Sequence, residues 1–138
     1  MINSKEDLIN HFQQGIKEQE NLKIGIEHEK FLFNKKLNSR ATYETISKVL
    51  NYLKKFGWSE IKEKNNIIGL SKEGKNISLE PGNQIELSGA LLKSIHQTCE
   101  ESYQFLDELS KTCLNLNLEM MSVSFDPFSK LEQVPKNP

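Results

Sequence analysis

Two glutamates stand two residues apart, Glu27 and Glu29, in a stretch where apolar residues alternate with others. On a strand such a pair emerges on one face, about 7 Å apart along the backbone. A second set stands downstream. Ser78 and Glu80 share one parity, as do Gln84, Glu86 and Ser88, while Ile77, Leu79, Ile85 and Leu87 occupy the other. Each run therefore offers one apolar face and one that carries oxygen. If the apolar faces pack under helices, the opposite face of one sheet collects Glu27, Glu29, Glu80 and Glu86. Like charges gathered this way raise one another's pKa unless cations neutralise them. Carboxylate oxygens with neighbouring water suit Mg²⁺, above all when a nucleotide phosphate completes its shell. The same spacing also suits a solvated strand face, and residue types alone leave both readings open. His28 points the other way and reads as structural.

Other spacings carry less. Gly69-Leu70-Ser71-Lys72-Glu73-Gly74-Lys75 follows a phosphate-binding loop for seven positions, but Asn76 stands where Ser or Thr is required and a strand follows, so the segment reads as a hairpin turn. His96 and Cys99 have an H-x-x-C spacing without a second pair, which excludes a zinc site of the usual kind. Cys99 and Cys113 fall in one helical pattern, roughly 21 Å apart at about 1.5 Å per residue, and cannot bridge each other. Both read as reduced thiols.

The elements that must position the carboxylates follow from periodicity. Ser4 opens a capping pattern, and Leu8, Ile9, Phe12 and Ile16 recur at helical spacing to about Glu20. Leu22 to Phe33 alternates and predicts the first strand, with a polar loop from Asn34 to Ser39. Thr42 is placed to cap a second helix with Ile46, Val49, Leu50 and Leu53 as its buried stripe and Gly57 as its stop. Ile67 to Ser71, Asn76 to Glu80 and Gln84 to Ser88 predict an antiparallel meander. After Gly89, Leu92, Ile95, Cys99, Tyr103, Leu106, Leu109, Cys113 and Leu116 predict a long one-sided helix. Leu118 to Phe125 predicts a last strand, followed by a Pro-punctuated tail. The fold class expected is α+β, a mainly antiparallel sheet with helices on one face.

The chain has 138 residues, 36% apolar and 27% charged, which bounds it to a single domain with a thin core. With 18 basic and 19 acidic residues the net charge is −1, against the positive field of a nucleic-acid binder. All the basic residues but Arg40 are Lys, so bidentate clamps for carboxylate or phosphate are nearly absent. No apolar run approaches the ~20 residues needed to cross a bilayer, and the N-terminus has no leader pattern, so a soluble cytoplasmic protein is expected.

The residues also carry a resemblance. Ile24-Gly25-Ile26-Glu27-His28-Glu29-Lys30-Phe31, then Asn66 to Leu70, then Leu79-Glu80-Pro81-Gly82-Asn83-Gln84-Ile85-Glu86-Leu87-Ser88-Gly89, then His96-Gln97-Thr98-Cys99-Glu100-Glu101, resemble in order and separation the opening portion of plant-type glutamate-cysteine ligases. The resemblance implies ATP-dependent ligation of the γ-carboxylate of glutamate to cysteine through γ-glutamyl phosphate, the first step of glutathione biosynthesis. It implies that Glu27, Glu29, Glu80 and Glu86 hold Mg²⁺, that Gln84, Ser88 and Gly89 face substrate, and that the small-molecule partners are glutamate, cysteine and ATP. No side chain of this chain is assigned as a catalytic acid, base or nucleophile. The fold implied is a curved antiparallel sheet of the glutamine-synthetase kind.

Departures bear on these expectations. Family members are several times longer and continue into a basic segment beyond Pro138, so residues 1–138 are expected to be the N-terminal portion of a catalytic domain, inactive in isolation and completed by a C-terminal segment. Arg40, in Ser39-Arg40-Ala41-Thr42-Tyr43, stands one residue out of step with the family's R-P-x-x-Y pattern. Two alternatives stay open: a non-catalytic module that binds Mg²⁺-nucleotide, glutamate or a partner chain, and a carboxylate-amine ligase with another acceptor amine.

Overall fold

The computed structural model describes residues 2–36 and 39–138, so two positions of the expected Asn34–Ser39 loop, 37 and 38, lie outside the described residues. The α+β expectation holds. In chain order the elements are α1 (Lys5–Gln14), β1 (Glu27–Asn34), β2 (Ser39–Arg40), α2 (Tyr43–Leu53), β3 (Ser59–Glu63), β4 (Asn66–Lys72), β5 (Lys75–Glu80), β6 (Gln84–Ser88), α3 (Ile95–Leu116) and β7 (Leu118–Met121). The seven strands form one open antiparallel sheet in the order β2-β1-β6-β5-β4-β3, with β7 also paired to β1.

Local chemistry sets the meander. Glu73 and Gly74 both have positive φ, 52° and 82°, the backbone of a tight hairpin turn whose twist matches its strands. Gly82 (φ 75°) and Asn83 (φ 60°) turn β5 into β6. A bulge opposite Ile61/Lys62 shifts the register of β4, so that Gly69 stays in step with Ser78 while Ile67 turns into the core. β3 is an addition to the expected strands. Its residues Ser59–Glu63 are all exposed, and an edge strand rich in charge gives no apolar alternation to read.

The apolar face of the sheet, with Leu32, Leu70, Ile77, Ile85 and Leu87, packs against α2 and α3 to form the core. α2 buries the predicted stripe of Ile46, Val49, Leu50 and Leu53. A single 3₁₀ turn follows it, and Gly57 ends the run in the left-handed region at φ 89°. Thr42 occupies the N-cap position without a side-chain bond to the helix backbone.

α3 starts at a Ser94–Gln97 capping box, three residues later than Leu92. Its buried face differs from the expected one. Thr98, Glu101, Phe105, Glu108, Leu109, Thr112 and Cys113 are inside, while Ile95 and Tyr103 are exposed. The reason is polar. Glu108 accepts from Trp58 Nε1 (2.6 Å), Gln104 Nε2 (3.1 Å) and Lys72 Nζ (3.3 Å), and Glu101 accepts from the Ala90 amide (3.2 Å) with Lys75 Nζ at 4.0 Å. Carboxylates with partners of this kind can be buried. Burial pushes the Cys113 thiol up to about 11, whereas Cys99 is exposed.

The remaining differences lie at the ends. α1 stops at Gln14, with Gly15 as its C-cap, and none of its residues is buried. Ahead of β1 the chain makes a 3₁₀ turn at Gln19–Asn21, an isolated bridge of Ile24 with Leu92 and a bond from the Gly89 amide to the Ile26 carbonyl, and the paired strand starts at Glu27 rather than Leu22. β7 ends at Met121 rather than Phe125.

Candidate functional site

The register across three strands decides what faces what. Glu29 lies opposite Glu86, and Glu86 opposite Ser78. One rung away Glu27 lies opposite Ser88, and on the other side Gln84 lies opposite Glu80. Neighbouring strands are ~4.8 Å apart and same-face rungs ~7 Å apart, so Glu27, Glu29, Glu80, Glu86, Gln84 and Ser88 form a contiguous patch on the sheet face away from α2 and α3.

Hydrogen bonds tie the patch together. The Gln84 side-chain amide donates to Glu29 Oε2. Ser88 Oγ lies 2.8 Å from Glu86 Oε1, and Ser78 Oγ is 3.5 Å from Glu86 Oε1 and 3.4 Å from Glu80 Oε1. A hydroxyl has one proton, so Ser78 serves one of these carboxylates at a time. On the reverse of β1, Lys30 is buried at 2% exposure and its Nζ donates to the Glu29 carbonyl at 3.0 Å. Burial pulls the Lys30 ammonium below its ordinary range. His28 faces the same side as expected, lowered first by burial and then by the charge of Lys30.

Of the four carboxylates, Glu29 is the one that feels the others. The Glu29 pKa is raised above its ordinary value by local desolvation, then by the charge of Glu86 and hydrogen bonding with it, then by the charges of Glu80 and Glu27. A raised carboxyl pKa favours the folded state below the unfolded value of about 4.5, and that contribution is lost as pH rises through the folded value. Glu29→Gln lacks this liability. Its thermal midpoint is therefore expected to rise relative to the parent between pH 4 and pH 7 in metal-free buffer. A gap between the two melting curves that stays constant with pH would reject the assignment of Glu29 to this cluster.

Among the described residues no group of three or more His, Cys, Asp or Glu is drawn together closely enough to cage a metal. The donor set still fits Mg²⁺, which binds through one or two carboxylates, several waters and substrate phosphate rather than an all-protein cage. A soft-metal site would need thiolate or imidazole donors, which this face lacks.

Gly89 has a packing role. Its N–H donates to the Ile26 carbonyl at 2.7 Å, continuing the β1–β6 ladder, and a Cβ there would lie 2.4 Å from Glu101 Oε2 and 3.1 Å from the Ile26 carbonyl oxygen. Ser88 and Gly89 thus stand at the end of a strand, with the Ser88 hydroxyl on the carboxylate face.

Residues that spacing alone did not identify flank the patch. Phe31 and Phe33 continue the parity of Glu27 and Glu29 but are covered, Phe31 by the Arg40 guanidinium at 4.5 Å and Phe33 by Phe128 at 5.5 Å between ring centres. The face therefore divides into an open acidic half and a closed aromatic half. Arg40 also donates to the Gly82 carbonyl and faces Asp126 at 3.5 Å. The only signal in the sequence was that Arg40 is a lone Arg among Lys.

The family model of glutamate-cysteine ligase family 2 matches residues 23–138. Among curated relatives, the chain is 40% identical over 136 residues to glutamate–cysteine ligase A, chloroplastic, of Oryza sativa subsp. japonica. It is 38% identical to glutamate–cysteine ligase, chloroplastic, of Medicago truncatula and 36% identical to that of Arabidopsis thaliana, again over 136 residues. Each match takes in 98% of this chain, and the chain spans 28%, 27% and 26% of the three relatives' lengths. The expected cytoplasmic location is corrected by these names, since the relatives are chloroplastic. An N-terminus without a leader pattern therefore does not decide location. No helix among the described residues is long and apolar enough to cross a membrane.

Proposed function

This chain belongs to glutamate-cysteine ligase family 2, and from that premise we propose that it carries the cation-holding part of a site that joins glutamate to cysteine at the expense of ATP. In this reading the γ-carboxylate of glutamate attacks the γ-phosphate of ATP with departure of ADP, and the amine of cysteine then displaces phosphate from γ-glutamyl phosphate and gives up a proton as the amide forms. Glu27, Glu29, Glu80 and Glu86 would hold Mg²⁺. When bound, the ion neutralises charge on the phosphate oxygens and orients them. The chain's own contribution is positional: Gln84 holds one oxygen of Glu29, Ser88 holds one of Glu86, and Gln84, Ser88 and Gly89 border the space where substrate would lie.

The observation that supports this most is the register that puts Glu29 against Glu86 with Glu27 and Glu80 on adjoining rungs of the same face. Four clustered carboxylates without compensating cations are a cost to the fold, which a divalent ion offsets. A second reading, favoured by the chain's one arginine being taken up by Gly82 and Asp126 rather than free to clamp phosphate, is a module that binds Mg²⁺-nucleotide or glutamate without turnover. A completing C-terminal segment or partner chain belongs to either reading.

The test is ADP release with Mg²⁺, ATP and glutamate, with and without cysteine, by the chain extended to the length of its relatives. Cysteine-stimulated release is the result expected of the ligase reading. Release that needs glutamate but ignores cysteine indicates another acceptor amine. Silence with Mg²⁺-ATP binding that Glu86→Gln weakens indicates the module, and silence without binding overturns both.

A further inference from the structure

The tight end of the sheet is held by more than its hydrogen-bond ladder. β5 and β6 already pair over five positions, from Asn76↔Ser88 to Glu80↔Gln84. The Pro81–Asn83 turn is also gripped from two sides by segments distant in sequence.

On one side is Arg40. It donates through Nη2 to the Gly82 carbonyl, and its Nη1 stands 3.5 Å from Asp126 Oδ2, with both side chains nearly buried at 6% and 7% exposure. Asp126 is itself fixed, because Oδ1 accepts from the Phe128 amide (2.9 Å) and the Ser129 amide (3.0 Å). Gly82 has positive φ, and a Cβ there would lie 2.8 Å from Val134 Cγ1 and 3.0 Å from Arg40 Nη2, so the contact depends on glycine. On the other side is Asn137. Its Oδ1 accepts from the Asn83 amide at 3.1 Å, and its Nδ2 lies 3.1 Å from the Glu80 carbonyl and 3.3 Å from that of Leu79.

The turn held this way carries Glu80 on its entering strand and Gln84 on its leaving strand, and Gln84 holds Glu29. A desolvated ion pair is a poor source of net stability, since removing both charges from water costs about what their attraction returns. Its use here is geometric. We propose that Arg40, Asp126 and Asn137 are positioning residues that set the Pro81–Asn83 turn, and through it the Glu80 and Gln84 side chains, for cation binding on the carboxylate face. This inference rests on the cation reading above, and its test separates the two.

The experiment uses the whole chain with Mn²⁺ alone as the probe for the divalent cation. Arg40→Lys keeps the charge opposite Asp126 but loses the planar fork that reaches Gly82. Asp126→Asn keeps the acceptor for Phe128 and Ser129 but removes the charge opposite Arg40. In both, Mn²⁺ affinity measured by electron paramagnetic resonance is expected to fall about 10-fold, the scale of losses when a ligand's supporting partner is removed. Amide exchange at Asn83 and Gln84 is expected to accelerate, and the Gln84 side-chain NH₂ resonances to move toward random-coil positions. Asn137→Ala removes the second grip without leaving a buried charge and is expected to give the same signature where the ion-pair variants fold poorly. Parent-like exchange, Gln84 resonances and Mn²⁺ affinity in folded variants would overturn the proposal. If the parent itself binds no Mn²⁺, the cation reading fails and the proposal, whose end is cation binding, fails with it. Faster exchange and shifted Gln84 resonances in the variants would then show that the grip on the turn is real but structural. Mn²⁺ binding in the parent that the variants leave intact overturns the positioning role alone.

Discussion

Glu108→Ala is expected to cost about 3–5 kcal/mol of folding stability, a large share of the ~5–15 kcal/mol that holds a domain of this size together. The expectation comes from what the truncation leaves behind rather than from the contacts alone. Glu108 Oε2 is the acceptor for Trp58 Nε1 at 2.6 Å, and Oε1 stands 3.3 Å from Lys72 Nζ and 3.1 Å from Gln104 Nε2. Trp58 is buried, so its indole N–H would lose its partner where water does not replace it, and such an orphan costs ~1–3 kcal/mol. Lys72 keeps the Phe56 carbonyl at 2.7 Å but loses its counter-charge. Glu108→Gln separates the two losses. It retains an acceptor for the indole and gives up only the charge, so it is expected to cost less than half as much. Urea unfolding followed by the fluorescence of Trp58, the one tryptophan, measures both. A Glu108→Ala midpoint within 1 kcal/mol of the parent would show that the network is dispensable.

That network also marks where sequence reasoning stops. Parity alone was enough for the carboxylate face. Once β5 and β6 are joined by a tight turn, alternation places Ser78, Glu80, Gln84, Glu86 and Ser88 together, and a β1 partner with the same alternation adds Glu27 and Glu29. The α2 stripe was legible for the same reason, since its buried residues are all apolar. α3 was not. Its inward face mixes Phe105 and Leu109 with Glu101 and Glu108, whose partners Trp58, Lys72 and Lys75 lie far away in sequence. No periodicity of hydrophobic residues reports a carboxylate that is buried because something distant donates to it. Arg40 is the same case. Its contact with Gly82 spans 42 residues, and the offset from the family pattern said nothing of the turn it holds.

Glu86→Gln is expected to weaken divalent-cation binding by at least about 10-fold while leaving the metal-free chain as stable as the parent or slightly more so. Glu86 is the centre of the patch. It stands opposite Glu29 on one neighbouring strand and Ser78 on the other, and Ser88 holds its Oε1 at 2.8 Å. Gln keeps the size and an acceptor for those hydroxyls, so packing and the ladder are preserved. What it removes is a charge that raises the Glu29 pKa. Loss of that repulsion favours the folded state, whereas loss of a hard anionic donor disfavours Mg²⁺ or Mn²⁺, so the two readouts move in opposite directions. A general loss of structure would lower both. The pH dependence carries the same sign: because Glu29 takes up its proton at higher pH than an ordinary glutamate, cation affinity in the parent is expected to decline on acidification before pH 4.5 is reached. Glu63→Gln, on the exposed edge strand β3, is the control for a nonspecific loss of negative charge. Equal Mn²⁺ affinity in the parent and Glu86→Gln chains would remove the cation role from this face, and with it the strongest support for the ligase reading.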